Sequence, residues 1–331
     1  MDSDLIYGIT MGDPAGIGPE IILKAIKNNK VQPIGQHVVI GDAEVLEHLN
    51  EKFGYGLQIN RVKDIKELKN EDRRVNVLDL ANVDLEKLQS GKVQKQAGKA
   101  AVEYVKKAID LALNGDTDAV VTAPLNKESI HKAGFKYPGH TEILAERTET
   151  EDFSMMLYSD KLNVIHVTTH LALEEACKTI NKERVETVIK LADETLKKMG
   201  LTEPRIAVAG LNPHAGEDGI FGDQEIKAIE PAVSAAKEQG IDVEGPLPPD
   251  TVFVKAVEGK YDIVVVMYHD QGHIPVKLLA FDDGVNITTG LPIIRTSVDH
   301  GTAFDIAWQG IARETSLVQA IRAANKLSSN K

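Results

Sequence analysis

Three histidines occupy equivalent positions in this sequence, each a few residues after a short apolar run. The runs and their histidines are Leu162–Thr168 with His170, Arg205–Gly210 with His214, and Ile263–Met267 with His269. Such runs predict buried strands of a parallel sheet, whose carboxyl ends meet at one edge and commonly hold ligands. A single histidine there is more often structural, but three neutral imidazoles suit a divalent ion that keeps positions open for substrate. The pattern therefore favours a catalytic metal site.

The polar residues that follow His269 could bind a charged substrate. They are Lys277, Asn286, Arg295 and His300, and glycines and prolines between them keep the backbone turning. Arginine offers a forked donor that matches phosphate or carboxylate, whereas lysine is a point charge. Two alternatives stay open at this point. Lys277 could lie along the surface with only its charged end in water, and Arg295 could form a structural ion pair.

His140 and Thr141 stand at the start of a predicted helix in the segment YPGHTE. The first backbone N–H groups of a helix attract anions, and a neighbouring imidazole and hydroxyl would add donors for a phosphate. The residue pattern alone nevertheless favours the alternative in which Thr141 caps the helix and His140 lies on the surface.

Asp250 follows two prolines in the segment GPLPPDTVF, which hold it in a rigid turn. A carboxylate fixed in this way could act as an acid or a base. Capping of the next helix is the competing role, and the sequence does not decide between the two.

Four other histidines show weaker signals of function. His166 lies inside a predicted strand, where packing or support of a ligand is the expected role. His37, His48 and His131 have no neighbours that suggest a site, so we expect them on the surface.

Strands and helices alternate along the chain, which predicts βαβ units and a largely parallel sheet. After a first strand, Leu5–Met11, the glycine-rich turn GDPAGIGPE matches neither a dinucleotide-binding GxGxxG nor a Walker loop. Its glycines either serve a ligand or only let strand and helix pack closely. Further strands are predicted at His37–Gly41, Val75–Leu80 and Ala119–Thr122, and helices at Ile21–Ile26 and Gln96–Asn114. The charged segment 52–74 is predicted to be irregular.

The composition limits the classes of function. A chain of 331 residues is long enough for two domains, and 42% hydrophobic with 27% charged residues is typical of globular proteins. The formal net charge of −12 argues against a nucleic-acid partner, which requires a basic stripe. The single cysteine, Cys177, excludes an internal disulfide and cysteine-cluster metal sites. Since there is no signal-peptide layout and no membrane-spanning run, we expect a cytoplasmic protein without a membrane partner.

Five motifs of this sequence occur together, in the same order, in one enzyme family. The motifs are GITMGDPAGIGPE, YHDQG, GVNIT, GLPIIRTS and DHGTAFD, and they extend over nearly the whole chain. They resemble the 4-hydroxythreonine-4-phosphate dehydrogenase family, relatives of the isocitrate and isopropylmalate dehydrogenases. The resemblance implies a two-domain α/β fold of the isocitrate/isopropylmalate dehydrogenase type, not a Rossmann fold, with a cleft between the domains. Residues 1–135 and 256–331 would form the first domain, on the cofactor side. Residues 136–255 would form the second, with metal ligands and the dimer interface.

The resemblance also assigns roles to single residues. The implied metal ligands are His170, His214 and His269. The implied substrate contacts are His140, Thr141, Lys277, Asn286 and Arg295. The implied NAD contacts are His300, Gly301 and Thr302. Asp250 and Lys277 are the predicted catalytic residues. The divalent ion would be zinc, cobalt, magnesium or manganese. A homodimer would complete each active site across its interface. The implied reaction is oxidative decarboxylation of a phosphorylated four-carbon hydroxy acid, dependent on NAD and the divalent ion.

Departures from the vitamin B6 branch of this family indicate a sister branch. The B6 enzymes usually carry an apolar residue directly after YHDQG, where this chain has His273, and tend to carry histidine at the position of Asn126. These differences resemble the branch that converts D-threonate or D-erythronate 4-phosphate into dihydroxyacetone phosphate and carbon dioxide. The alternative substrate is 4-phosphohydroxy-L-threonine, whose ammonium group Asp282 and Asp283 could attract unless they face solvent.

Two other classes of function would use part of this residue set. A zinc hydrolase would also need three histidines, but it would not explain the donors for a phosphorylated ligand. A non-catalytic sugar-phosphate binder would explain those donors, but not a metal with open positions. Formation of reduced nicotinamide separates the dehydrogenase from both.

Overall fold

The computed structural model describes residues 5–69, 71–281 and 283–330, which form an α/β structure with mostly parallel strands. The strands in chain order are β1 (Ile6–Thr10), β2 (Gln36–Gly41), β3 (Gln58–Val62), β4 (Arg74–Asp79), β5 (Ala119–Thr122), β6 (Ser154–Tyr158), β7 (Val164–His166), β8 (Ile206–Ala209), β9 (Val243–Leu247), β10 (Ile263–Val266), β11 (Val285–Thr289) and β12 (Ile294–Val298). The α-helices are α1 (Gly18–Lys27), α2 (Ala43–Lys52), α3 (Lys95–Leu113), α4 (Lys127–Lys132), α5 (His140–Thr148), α6 (Leu173–Thr179), α7 (Lys182–Lys198), α8 (Glu230–Glu238), α9 (Val252–Val257), α10 (His269–Ala280) and α11 (Thr315–Ser328). A short 3-10 helix occurs at Ile65–Glu67, a turn with left-handed backbone occurs at Pro213–Gly216, and a π-helical turn, Glu225–Ile229, leads into α8.

The chain divides into two compact units, and the first unit combines Met1–Glu151 with Leu291–Ser329. Its strand order is β3-β4-β2-β1-β5-β12, and these neighbours pair in parallel. Helix α3 packs on β1 and β2, while α11 packs on β5 and β12. Because helices cover the sheet, its central strands are apolar on both faces, and β5 is buried at every position.

The second unit contains Asp152–Gly290 with Asn330–Lys331, and its strand order is β11-β6-β7-β10-β8-β9. Strand β6 runs antiparallel to both of its neighbours, whereas β7, β10, β8 and β9 are parallel. Val264 and Val266 of β10 share an apolar core with Val164 of β7 and Ala207 of β8. This packing sets the carboxyl ends of β7, β10 and β8 side by side.

The boundaries of the two units differ from the predicted domains, 1–135 with 256–331 and 136–255. Residues 256–290 belong to the second unit, because β10 pairs with β7 and β8 and β11 pairs with β6. Residues 136–151 belong to the first unit, where α5 packs on α3. Strand pairing therefore moves the segment that carries His269, Lys277 and Asn286 out of the predicted first domain.

Most predicted strands agree with the structure to within one or two residues at each end, and Ala119–Thr122 has the predicted bounds. The segment 52–74 is the exception, because it contains β3. This strand lies at the edge of the first unit and pairs only with β4 among the described residues. One side of β3 faces water, which explains its charged composition. Because of that composition the segment was predicted to be irregular. No helix in the part of the chain that the structure describes is long and apolar enough to cross a bilayer.

Candidate active site

The three predicted metal ligands follow neighbouring strands of the second unit. Strands β7, β10 and β8 are adjacent and parallel, so His170, His269 and His214 come after the same edge of the sheet. The ring centroids of His170 and His269 lie 5.7 Å apart. Both residues line a cavity of about 270 Å³ whose walls include Tyr268 and Asp270. The structure thus brings two of the three imidazoles together.

His214 is not among the residues that line this cavity. It lies in the Pro213–Gly216 turn with a φ of 53°, and its ring packs against Phe221 with 5.9 Å between centroids. Across residues 5–69, 71–281 and 283–330, no three His, Cys, Asp or Glu side chains converge as a metal site within one chain. The set of His170, His214 and His269 therefore stays a prediction.

A buried carboxylate holds the His214 loop. Glu225 is 1% exposed, and its Oε1 accepts hydrogen bonds from the backbone N–H groups of Leu211 at 2.7 Å and Asn212 at 2.8 Å. Its Oε2 accepts another from Nδ2 of Asn212 at 2.9 Å. The residues from His214 to Gly219 all have positive φ, which non-glycine residues seldom adopt. The loop therefore depends on tertiary contacts such as these for its shape.

His269 belongs to a cluster of imidazoles at the start of α10. Its Nδ1 lies 2.7 Å from Oδ1 of Asp270. Because a carboxylate only accepts, Nδ1 carries the hydrogen and Nε2 of the neutral ring keeps its lone pair for a metal. The ring of His269 stacks on that of His273, with 3.6 Å between centroids and 10° between planes. His273 in turn places its Nδ1 3.1 Å from Nε2 of His166.

His166 ends this cluster in the interior of the second unit. Its Nδ1 donates a hydrogen bond to the carbonyl oxygen of Met155 at 3.0 Å. Burial, with a smaller contribution from the neighbouring His273, lowers the pKa of His166 to about 3, so its imidazole is neutral near neutral pH. This position agrees with the expected role in packing or ligand support.

The sequence pattern indicates His273 only as a marker of the branch. The structure places it within the histidine cluster, buried beside a predicted metal ligand. Its spacing of four residues from His269 was the available signal, because residues four apart share one face of a helix. Its contact with His166 had no sequence signal, since it depends on how α10 packs against β7.

Predicted substrate contacts also lie in the first unit. Arg295 of β12 is 2% exposed, and its Nη2 donates a hydrogen bond to Oγ1 of Thr122 at 2.7 Å. Burial lowers the pKa of Arg295 to about 9, although the nearby carboxylate of Glu142 acts in the opposite direction. Burial and the positive charge of Arg295 hold the pKa of His140 well below its usual range. The arrangement is a neutral imidazole near a buried guanidinium.

Helix α5 begins at His140, as the sequence predicts, with Thr141 in its first turn. Its N-cap is Gly139, so the alternative in which Thr141 caps the helix is wrong. The alternative of a surface histidine is not met either, because His140 is half-buried and its Nε2 is buried without a hydrogen-bond partner among the described residues. Such a buried polar atom is one that a bound ligand could satisfy.

Asn286 and Lys277, the other predicted substrate contacts, lie in the second unit. Nδ2 of Asn286 lies 3.2 Å from Sδ of Met155, while its Oδ1 is buried without a hydrogen-bond partner in the described chain. Lys277 is half-buried in the last turn of α10, and its Nζ lies 5.6 Å from the ring centroid of Phe281. The Asn286 amide thus has capacity for a ligand, and the snorkelling alternative for Lys277 stays open.

Asp250 lies exposed in the turn before α9. The N-cap of this helix is Thr251, so the competing role of Asp250 as the cap is wrong, and its catalytic role stays a prediction. Asp283 is exposed, so its carboxylate faces water in the single chain. Asp282 lies outside the described residues.

The predicted cofactor segment packs on the glycine-rich turn of the first unit. Thr302 is buried, and its carbonyl oxygen accepts a hydrogen bond from the N–H of Ile17 at 3.1 Å. His300 and Gly301 are exposed, and a Cβ built on Gly301 would meet no atom within 4 Å. The segment thus combines a fixed residue with two exposed ones, and its role in NAD binding stays a prediction.

Packing explains two of the glycines in this turn. A Cβ on Gly18 would lie 2.1 Å from the carbonyl oxygen of Met11, and one on Gly12, whose φ is 74°, would lie 2.3 Å from that of Pro124. These contacts support the alternative in which the glycines let strand and helix approach. Asp13 of the same turn is buried, which raises its pKa to about 6, and nothing in the sequence pattern indicated this.

His37 is buried, which contradicts the expectation that it lies on the surface. It is 4% exposed because it belongs to β2, which lies between β1 and β4, and burial lowers its pKa to about 4. The expectation rested on the lack of functional neighbours, whereas the position in the sheet decides burial. His48 and His131 are exposed, as expected.

Comparison with known proteins identifies the family. A family model described as pyridoxal phosphate biosynthetic protein PdxA matches residues 34–324. D-threonate 4-phosphate dehydrogenase from Salmonella typhimurium is 54% identical over 323 residues, covering 97% of this chain and 98% of the relative. The enzyme of the same name from Pectobacterium atrosepticum is 53% identical over 332 residues, covering 98% and 99%. The crystal structure of 4-hydroxythreonine-4-phosphate dehydrogenase from Klebsiella pneumoniae matches with a TM-score of 0.90 and 49% identity, covering 98% of this chain and 100% of that one. The chain therefore belongs to the PdxA family.

Proposed function

We propose that this chain is an NAD-dependent dehydrogenase that oxidises and decarboxylates D-threonate 4-phosphate or D-erythronate 4-phosphate. The hydroxyl β to the carboxylate is oxidised with transfer of hydride to the nicotinamide ring, and the resulting β-keto acid loses carbon dioxide to give dihydroxyacetone phosphate. One observation carries the proposal. His170 and His269 converge at the edge of the sheet in a chain whose full-length relatives include D-threonate 4-phosphate dehydrogenases.

The donors at this edge fit a divalent ion, which we assign to His170, His214 and His269. The first and last converge, and Asp270 leaves the Nε2 lone pair of His269 available. When bound, zinc, cobalt, magnesium or manganese would act as a Lewis acid that eases loss of the hydroxyl proton and stabilises the ketone oxygen. Two imidazoles converging in one chain are compatible with a site that a second copy completes.

Arg295, His140 and Thr141 hold a charged group of the substrate in the first unit. The guanidinium can bind two oxygens of a phosphate or carboxylate at once, and its buried position strengthens that attraction. The unpartnered Nε2 of His140 and the hydroxyl of Thr141, in the first turn of α5, would add polar contacts.

Asn286, Lys277 and Asp250 serve the substrate from the second unit. The buried Oδ1 of Asn286 can accept a hydrogen bond from a substrate hydroxyl. We assign Lys277 and Asp250 to proton transfer. One accepts the hydroxyl proton during hydride transfer, and the other returns a proton to the carbon that carried the carboxylate.

His300, Gly301 and Thr302 form the proposed NAD contact. The buried Thr302 fixes the position of the segment through the hydrogen bond that its carbonyl oxygen accepts from the N–H of Ile17. The open space beside Gly301 leaves room for a flat ligand. The choice of NAD over NADP and the cleft between domains rest on the family resemblance, and the cytoplasmic location rests on the sequence pattern. All three stay predictions.

A homodimer is the proposed assembly. Helix α10 begins at His269, and its Ile274 and Leu278, with Phe281 just beyond, are 57%, 81% and 73% exposed. These apolar side chains are spaced by three or four residues and so share one side of the helix. Apolar surface of this kind commonly marks a protein–protein interface.

The second candidate function is 4-phosphohydroxy-L-threonine dehydrogenase of pyridoxal phosphate biosynthesis. Relatives that carry the name 4-hydroxythreonine-4-phosphate dehydrogenase support it, at 49% and 47% identity over nearly the whole chain. Two observations favour the sugar-acid phosphates instead. His273 occupies a buried position where the B6 enzymes usually have an apolar residue, and the carboxylate of Asp283 is exposed to solvent in the single chain.

The test compares kcat/KM for D-threonate 4-phosphate, D-erythronate 4-phosphate and 4-phosphohydroxy-L-threonine, with NAD and each of the four divalent ions, by formation of reduced nicotinamide. We expect a sugar-acid phosphate to be preferred. We also expect His170→Ala and His214→Ala to lose turnover while keeping the wild-type circular dichroism spectrum. A large preference for the amino substrate would transfer the chain to the second function, and no reduced nicotinamide with any of the three would refute both.

A further inference from the structure

We propose that His273 and His166 are positioning residues that fix the ring of His269 for metal binding. The inference rests on the proposed function, in which His269 is a metal ligand. Both positioning residues are buried, and neither is one of the three predicted ligands. They connect the ring of His269 to the backbone of β6 through an unbroken series of contacts.

The hydrogens in this series follow from the acceptors. The carbonyl oxygen of Met155 accepts from Nδ1 of His166 at 3.0 Å, so Nε2 of the neutral His166 ring holds a lone pair. Nδ1 of His273 lies 3.1 Å from that Nε2 and 3.0 Å from the carbonyl oxygen of His269. Because two acceptors face it, Nδ1 of His273 must carry a hydrogen, and the plane of its ring is fixed.

The fixed ring of His273 restrains His269 in two ways. It stacks almost parallel to the His269 ring, so rotation of that ring would break a contact of 3.6 Å between centroids. It also holds the backbone carbonyl of His269 through the same Nδ1. Asp270 sets which nitrogen of His269 is free, and the His273–His166 pair sets where that nitrogen points.

The surroundings of the cluster leave little freedom for another arrangement. A Cβ on Gly272 would lie 2.8 Å from Nε2 of His166, so a larger residue there would displace the ring. Leucine in place of His273 would fill much of the volume, but it offers neither a donor to His166 nor a flat face to His269. The His273→Leu substitution therefore separates the role of His273 in filling space from its role in orienting His269.

The test measures Co²⁺ affinity of the chelator-treated full chain by competition with a chelator, together with the visible spectrum of the bound ion. His273→Phe keeps a ring and loses the donor, His273→Asn keeps a donor and loses the ring, and His273→Leu loses both. We expect His273→Leu to bind Co²⁺ about 10- to 100-fold more weakly with an altered spectrum, and the other two to fall between it and wild type. His37→Leu, which also replaces a buried histidine, is the control and should bind as wild type does.

A role confined to packing predicts a different result. If His273 positions the ligand, added Co²⁺ restores kcat of His273→Leu, and the Co²⁺ concentration for half-maximal activity shifts by the same factor as the affinity. Wild-type affinity and spectrum in His273→Leu would overturn the inference and leave the proposed function standing. Two results would overturn both the inference and the proposed function. One is a wild type that does not bind Co²⁺, and the other is an unchanged Co²⁺ affinity in His269→Ala. Long-range ¹H–¹⁵N spectra of metal-free wild type decide the matter even if a variant fails to fold, because His273 with its hydrogen on Nε2 alone contradicts the series.

Discussion

Nη2 of Arg295 donates a hydrogen bond to Oγ1 of Thr122 at 2.7 Å, between neighbouring parallel strands of the first unit. Both residues are buried, so this bond fixes the guanidinium in an environment that strengthens its attraction for anions. Thr122 ends β5, and its hydroxyl therefore sets the orientation of a side chain that we assign to the substrate.

Replacing Arg295 by Gln should raise KM for the phosphorylated substrate by about 10- to 100-fold, because a charge-assisted hydrogen bond is worth about 1.5–3 kcal/mol. Steady-state kinetics of reduced-nicotinamide formation measures the change. Arg322→Gln, which alters an exposed arginine on α11, is the matched control and should leave KM unchanged. An unchanged KM in the Arg295 variant would remove this residue from the site.

Thr122→Val should raise KM by about fivefold, because loss of the hydrogen bond that orients the guanidinium should cost about 1 kcal/mol of substrate binding. The two substitutions should not be additive, because the hydroxyl acts through the guanidinium. Thr122→Val in an Arg295→Gln background should therefore add little. Additive effects of the two substitutions would mean that Thr122 contacts the substrate by itself or acts only on stability.

The wild type should lose stability in acid through His37, and the His37→Gln variant should lack this loss. The folded protein lowers the pKa of His37 from its ordinary value of 6.5 to about 4, so only the unfolded chain binds this proton between those two pH values. Stability from the neutral ring is complete above pH 6.5 and is lost as pH falls towards 4, by about 3 kcal/mol in all. Denaturant unfolding at pH values across this range measures the free energy of unfolding of both proteins. As the pH falls, the value for the variant should rise relative to that of the wild type by this amount. A difference that does not change with pH would contradict the shift.

Glu225→Gln should loosen the His214 loop. The amide keeps the shape of the carboxylate but places an N–H group where donors from Leu211 or Asn212 now point. We expect a loss of about 2 kcal/mol in the free energy of unfolding, and faster proteolysis between residues 211 and 222. Glu217→Gln, on the exposed part of the loop, should cost about 0.5 kcal/mol or less. Equal proteolysis of the two variants would show that Glu225 does not hold the loop.

Local patterns were sufficient to predict the strands that precede His170, His214 and His269. The apolar run before His269 identified β10, and the rule that ligands gather at the carboxyl ends of parallel strands placed His170 and His269 at one edge. Helix chemistry likewise placed His140 at the start of α5. These features depend on a few consecutive residues, so the sequence displays them directly.

Features that depend on pairing between distant segments were missed or misplaced. The burial of His37 follows from the neighbours of β2, and the burial of Nε2 of His140 follows from tertiary packing. A local window of sequence contains neither. The predicted boundary at residues 255/256 failed for the same reason, because β10 joins strands that come much earlier in the chain. Glu225 gave no signal, since an acidic residue in a charged segment is ordinarily exposed.

The left-handed run from His214 to Gly219 makes this loop preorganised. Its non-glycine members each give up about 1–2 kcal/mol relative to an ordinary backbone, and the hydrogen bonds to Glu225 offset that cost during folding. A ligand that meets His214 therefore need not order the loop itself. Binding energy that a flexible loop would consume in losing conformational entropy remains available for holding the ligand.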